Sequence, residues 1–305
     1  MDKLQEHMLS QLDDLHAIKM GAYNIRSDGA ALERNTTANI DIVTKEDKPG
    51  IDIIIKPDTK DESVHIPVIL AKNGLKDVVY NDFYVGENAD VTIVAGCGIH
   101  CAGDDTTQHD GIHTFHLAKG ARLKYVEKHF GEGEGKGDKI LNPVTIIYQD
   151  EDSYFEMETT QIKGVDSTVR DTKAELKAGA TLIVREKIMT HGNQKAETNF
   201  DVQLNGEDCR TDLVSRSVAR DESYQIFNSN ICGNSKCYGH SECDGILMDK
   251  GRVVAVPSLD AANLDASLVH EAAIGKIAGE QITKLMTLGL TEEEAEEQII
   301  NGFLK

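Results

Sequence analysis

The 305-residue chain predicts a mainly β fold: a parallel β-helix, or solenoid, with a short N-terminal helix and a C-terminal helical segment. Three observations carry this expectation. From about residue 40 to 260 helical periodicity vanishes, and short β-branched runs such as IDIVT, IDIIIKP, VHIPVILA, VTIVAG and VTIIYQ alternate with Gly, Asn, Asp or Pro turns. Ala89, Ala121, Ser153 and Ala180 each stand after a turn and before an alternating strand, at spacings of 32, 32 and 27 residues. A near-constant period of that size suits a stacked coil better than a sandwich with unequal loops. Helical patterns are confined to the two ends. The expected division is residues 1–38 for an N-terminal helix and connector, 39–262 for the solenoid, and 263–305 for the helical segment.

Leu4, Met8, Leu12, Leu15 and Ile18 recur at steps of four and three, which predicts one helix ending near Gly21. Tyr23 to Asn39 is polar and irregular and reads as a connector. GEGEGKGD at 131–138 is no phosphate loop, because Gly137 follows Lys136 where Ser or Thr is needed, and it reads as a mobile loop between strands. Near the end, Ile282, Leu285 and Met286 share a helix face, with Gly289 placed to stop that helix. Thr291 to Glu294 then forms a capping box. Ile299, Ile300, Phe303 and Leu304 give an apolar ending that serves either as a plug for the solenoid or as a partner site.

Composition narrows the partners. With 52 acidic against 32 basic residues the formal charge is −20, which repels phosphate backbones and anionic lipid, so neither nucleic acid nor a membrane is an expected partner. The polar N-terminus lacks a signal-peptide apolar region, and a cytoplasmic protein is expected. Its six cysteines then read as thiols or metal ligands rather than disulfides.

The densest chemistry is Cys232-x4-Cys237-x5-Cys243, with Glu242 beside the last thiol and His270-Glu271 following. Thiolates suit iron–sulfur clusters or zinc, but without a CxxC pair a zinc ribbon is not expected. His270 and Glu271, if extended, point to opposite faces, so only one of them aims directly at a metal on the same coil. Cys97, His100 and Cys101 form a weaker second group, followed by His109, His113 and His116. GxSxG, HExxH and dinucleotide motifs are missing, so no catalytic residue is assigned. A β-helix carbohydrate-active enzyme remains an alternative, although 5% aromatic residues and no Trp disfavour it.

SECDGIL, the proline-containing strand after it, HEAAIGKIAGEQ, LMTLGLTEEEAEEQII and the final NGFLK resemble the core domain of the SufB/SufD family of iron–sulfur cluster assembly scaffolds. The likeness is strong over about the last seventy residues and looser back to about residue 40. It implies a right-handed β-helix and a non-enzymatic scaffold that holds a transient cluster, expected as [4Fe-4S], and passes it to apo-proteins. It implies a SufC-type ABC ATPase docked on the C-terminal helices, with ATP hydrolysed in that partner, and for this short chain a homodimer. His-Glu-Ala at 270–272 resembles the SufB side, and the expected metal ligands are Cys237, Cys243, His270 and Glu271, with Cys232 and Glu242 beside the cluster. One departure stands out: Gly251 lies where larger SufB members carry a cysteine, which keeps open a SufD-like role without ligation.

Overall fold

Strands that alternate apolar and polar residues must cover one face, and this chain does so by coiling upon itself. The computed structural model describes residues 1–13, 18 and 20–305. Two ten-stranded sheets face each other through about eight turns of a β-solenoid. The first holds β1 (Ala22–Ser27), β5 (Lys60–Leu70), β7 (Asp90–His100), β9 (Arg122–Glu132), β12 (Tyr154–Lys163), β14 (Thr181–Thr190), β16 (Arg210–Ala219), β18 (Tyr238–Leu247) and β20 (Ser267–Gly275), with β2 (Ala30–Asn35) at its edge. The second holds β3 (Ile40–Thr44), β4 (Gly50–Ile55), β6 (Lys76–Val85), β8 (Thr107–Leu117), β10 (Lys139–Leu141), β11 (Val144–Gln149), β13 (Ser167–Leu176), β15 (Lys195–Leu204), β17 (Tyr224–Gly233) and β19 (Arg252–Ala261). Coil stacks on coil in parallel register, and among the described residues only the β1–β2 and β3–β4 pairings are antiparallel.

The repeat seen in the sequence is a corner of the coil. Ala89, Ala121, Ser153 and Ala180 are fully buried, each leading into a strand of the first sheet. The residue after each donates its amide to the small residue one coil earlier: Arg122 to Ala89 at 2.7 Å, Tyr154 to Ala121 at 2.8 Å and Thr181 to Ser153 at 2.8 Å. Just before the corner the backbone turns left-handed at Asn88, Gly120, Asp152 and Gly179, residue types that tolerate positive φ. The ladder then continues through Cys209, Cys237 and Ala266, with Tyr238 donating to Cys209 at 3.1 Å and Ser267 to Cys237 at 2.9 Å.

Several elements differ from expectation. Asp2 caps α1 (Lys3–Leu12) with a full capping box, and Met8 and Leu9 pack with Ile18, Ile25 and Ile69. The helix ends at Leu12 because Asp13 is extended, well short of Gly21, and Leu15 lies outside the described residues. The supposed connector after Tyr23 is the β1–β2 hairpin: Asp28 and Gly29 both take positive φ, as a two-residue hairpin turn requires, and β1 also pairs with β5. GEGEGKGD is a stacked corner, in which Gly135 and Gly137 donate to the carbonyls of Cys101 and Gly103 at 3.0 Å. His270 and Glu271 stand mid-strand in β20, and the helices begin only at α2 (Gly279–Met286) and α3 (Glu292–Phe303). The Thr291 capping box on α3 forms as expected, whereas Gly289 adopts its positive φ two residues past the C-cap Thr287. Ile300 and Leu304 pack with Val218, Ile246 and Met248, so α3 lies against the flank of β16 and β18 rather than plugging the coil. Among the described residues no helix is long and apolar enough to cross a membrane.

A carboxylate and imidazole cluster on the terminal coil

Strand parity sorts the expected site residues into two groups. Along β18, Gly239, Ser241 and Cys243 face the interior, whereas Tyr238, His240, Glu242 and Asp244 face out. Parallel register places Glu271 beside Glu242, and His270 beside Ser241. Glu242 and Glu271 therefore share the outer face, while Cys243 and His270 belong to inward rows.

On the outer face, His240, Glu242 and Glu271 bring one ligand atom each within 4.8 Å of one another. His240 Nδ1 lies 2.7 Å from Asp212 Oδ1, and the other carboxylate oxygen, Oδ2, accepts from Arg185. With Nδ1–H donating to that carboxylate, Nε2 keeps the lone pair a metal needs, and the ring is held in place. Burial works against ionisation of Asp212, but the His240 and Arg185 hydrogen bonds hold its carboxyl below the usual range. Burial raises Glu242, and the adjacent Asp244 carboxyl raises it further. One imidazole with two carboxylates suits a first-row divalent ion and binds it less tightly than thiolates do.

The thiols do not converge there. Cys237 is a corner residue, 6% exposed and packed in the main core. Cys243 is fully buried, and burial followed by the nearby Glu186 and Asp244 charges pushes its thiol up to about 12. Cys232 is the half-exposed member, with its thiol 3.1 Å from Asn234 Oδ1, and burial together with Asp260 raises it. Period-two alternation, invisible in a bare Cys-x4-Cys-x5-Cys count, separates these groups. His270 is lowered by burial and by nearby His240, and its Nδ1 is buried with no hydrogen-bond partner.

The second thiol group is divided as well. Cys97 faces the interior, Cys101 is buried and donates to the Gly103 carbonyl at 3.3 Å, and His100 lies outside, 3.3 Å from Glu132. Cys97, His109, His113, Glu127 and His129 line a small cavity of about 10 Å³, room for about one water. Arg170 fills the charge balance there, donating to Glu127 at 2.6 Å. The residue that spacing alone left unassigned is His240. Its signal was the alternation of His240, Glu242 and Asp244 on one strand.

Residues 77–303 match the family model described as SUF system FeS cluster assembly, SufBD core domain. The iron-sulfur cluster assembly SufBD family protein of Methanothermobacter thermautotrophicus is 31% identical over 234 residues, 74% of this chain and 54% of that protein. The Archaeoglobus fulgidus protein of the same description is 30% identical over 267 residues, 85% of this chain and 69% of that one. Bacillus subtilis iron-sulfur cluster assembly protein SufB is 33% identical over 97 residues, 30% of this chain and 21% of that one. The chain thus spans little more than half of some of these relatives. With the match covering most of the β-solenoid and the whole terminal coil, the chain belongs to the SufBD family of iron–sulfur cluster assembly proteins.

Proposed function

We propose that this chain is a scaffold on which iron is gathered and joined with sulfide into a transient cluster, [4Fe-4S] in type, before release to apo-proteins. The observation that supports this most is the outward convergence of His240, Glu242 and Glu271 on the last coil. Iron is cargo here, and a labile imidazole–carboxylate set suits a site that must surrender it. Cys243 is the nearest candidate thiol, one residue from Glu242 but on the opposite face. It becomes a ligand only after the terminal coils shift and lower its thiol. A SufC-type ABC ATPase drives that shift by binding α2 and α3, a role supported by Met286 and Leu288, which stand exposed at the end of α2. The working unit is a homodimer joined at the terminal coil, and the compartment is the cytoplasm.

Anaerobic Fe²⁺ binding followed by mass analysis tests the reading. Glu271→Gln and His240→Ala each reduce bound iron at least tenfold, whereas Cys243→Ser leaves the first Fe²⁺ in place but abolishes the sulfide-dependent visible band. Unchanged iron loading in both outer-face variants removes the site. The fully buried position of Cys243, and the packing of Cys237 in the main core, favour a second reading, a SufD-like member that supports assembly without ligating. Co-elution with the ATPase and no visible band under any anaerobic condition selects that reading. Family membership favours a role in cluster assembly over the carbohydrate-enzyme alternative.

A further inference from the structure

Beside the cluster lies a groove of about 570 Å³, floored by the outer faces of β14, β16 and β18. We infer that it is a binding site for a small polycarboxylate anion, the form in which the neighbouring cluster receives its iron; that last role rests on the scaffold reading above.

The argument begins from register. Lys187 on β14 stands opposite Arg216 on β16, both half-buried and both lining the groove. Two like charges facing across adjacent strands destabilise a sheet unless something lies between them. Three of the four carboxylates in the lining are otherwise engaged. Glu158 accepts from Lys124 at 2.8 Å, and Asp212 takes His240 and Arg185. Glu186 turns inside, accepting from Thr198 at 2.9 Å and Ser215 at 2.6 Å. Asp244 stands in register with Arg216 but forms no ion pair with it among the described residues. Among the described residues neither Lys187 nor Arg216 has an ion-pair partner, and the one hydrogen bond from the Arg216 guanidinium goes to the Phe303 carbonyl at 3.3 Å. Lys187 and Arg216 thus lack a direct ion pair and feel the more distant charges of Glu158 and Glu242, while Arg216 also lies over the Phe303 ring at 6.0 Å. Arg185 and Lys305 are the other Lys and Arg residues of the lining, which they share with Glu158, Glu186, Asp212 and Glu242.

Geometry selects the anion. Arg216 is the diagonal neighbour of Glu242, on the adjacent strand and two residues along, which sets its Cβ roughly 7–8 Å from that of Glu242, with Lys187 one strand further off. A compact anion such as phosphate reaches only one end. A molecule with carboxylates several bonds apart spans both, one carboxylate meeting the guanidinium in a paired hydrogen bond and another turned toward the ion. The groove volume falls within the range of small-molecule sites.

Calorimetric titration of citrate into metal-free protein at about 0.15 M salt tests the site, with Co²⁺ titrated separately in the absence of citrate. Lys187→Gln/Arg216→Gln weakens citrate at least tenfold and leaves Co²⁺ affinity within twofold. His240→Ala does the reverse. Lys187→Gln alone leaves the melting temperature unchanged or raises it when no anion is present, which a purely structural lysine would not do. No heat with citrate, a loss below tenfold in the double variant, or phosphate binding as tightly as citrate overturns the inference. Loss of Co²⁺ binding in the parent protein with citrate binding intact overturns the scaffold site and leaves this one standing.

Discussion

Reactivity at the residue scale follows from which face each side chain takes. Five of the six cysteines are buried, and burial pushes Cys209 up to about 11 and Cys243 to about 12, so their nucleophilic thiolates are scarce near neutrality. Iodoacetamide at pH 8 therefore labels Cys232 alone, and slowly, while guanidinium exposes all six; peptide mass analysis reads both states. Labelling of Cys243 as fast as Cys232 in the folded protein would contradict its interior position. His113 gives a pH effect of defined sign. Burial lowers it to about 4 from an ordinary value of 6.5, so the folded chain keeps it neutral where the unfolded chain protonates it. Its contribution is present above pH 6.5, is lost as pH falls toward 4, and amounts to about 3 kcal/mol. His113→Asn flattens the fall in melting temperature between pH 7 and 4. An unchanged slope would mean that another group dominates, Glu127 acting only at lower pH because its carboxyl is held well below the usual range.

Most of the element pattern is legible in the sequence because corners and strands obey local rules, and the corner ladder runs on past Ala180. Extended from Ala180 to Cys209, Cys237 and Ala266, the repeat fixes strand parity: Cys243 lies six residues past its corner and His270 four past its own, both even and inward. His240, Glu242 and Glu271 fall at odd offsets and face out. The cysteines hid this continuation, since they read as ligands and not as small corner residues. Asp-Gly at 28–29 is a hairpin signal set within a polar stretch. The glycines of 131–138 misled for another reason, because close approach between coils, which no local rule reveals, is what requires them. A Cβ on Gly137 would lie 2.1 Å from the Asp105 carbonyl oxygen. Gly137→Ala accordingly costs about 1–3 kcal/mol, whereas Gly302→Ala, in α3 with open space around it, gains up to about 1 kcal/mol. Equal melting temperatures for the two variants would restore the loose-loop reading.

At the scale of the whole molecule the two sheets stop at unequal ends. At the start of the solenoid the hairpins β1–β2 and β3–β4 turn the edges back antiparallel. At the other end β19 and β20 are the last strands of their sheets, and α3 has gone to the flank. Residues in core-facing rows are left in solvent: Leu259, in register with buried Ile231, is 38% exposed, and Ile274, in register with Gly245, is 37% exposed. An uncovered coil end offers both unpaired backbone and apolar side chains, the combination that natural sheets otherwise cap or charge. A second copy meeting this end would cover Leu259 and Ile274 and bring two sets of His240, Glu242 and Glu271 to one seam. Light scattering on the purified chain then gives twice the chain mass in the micromolar range, and Leu259→Lys with Ile274→Lys gives the single mass with unchanged circular dichroism. Because the outer-face ligands belong to each chain separately, the monomeric variant still binds its first Fe²⁺ but fails to build the sulfide-dependent band. A parent protein that is monomeric yet assembles the band in full would detach cluster building from this end of the coil.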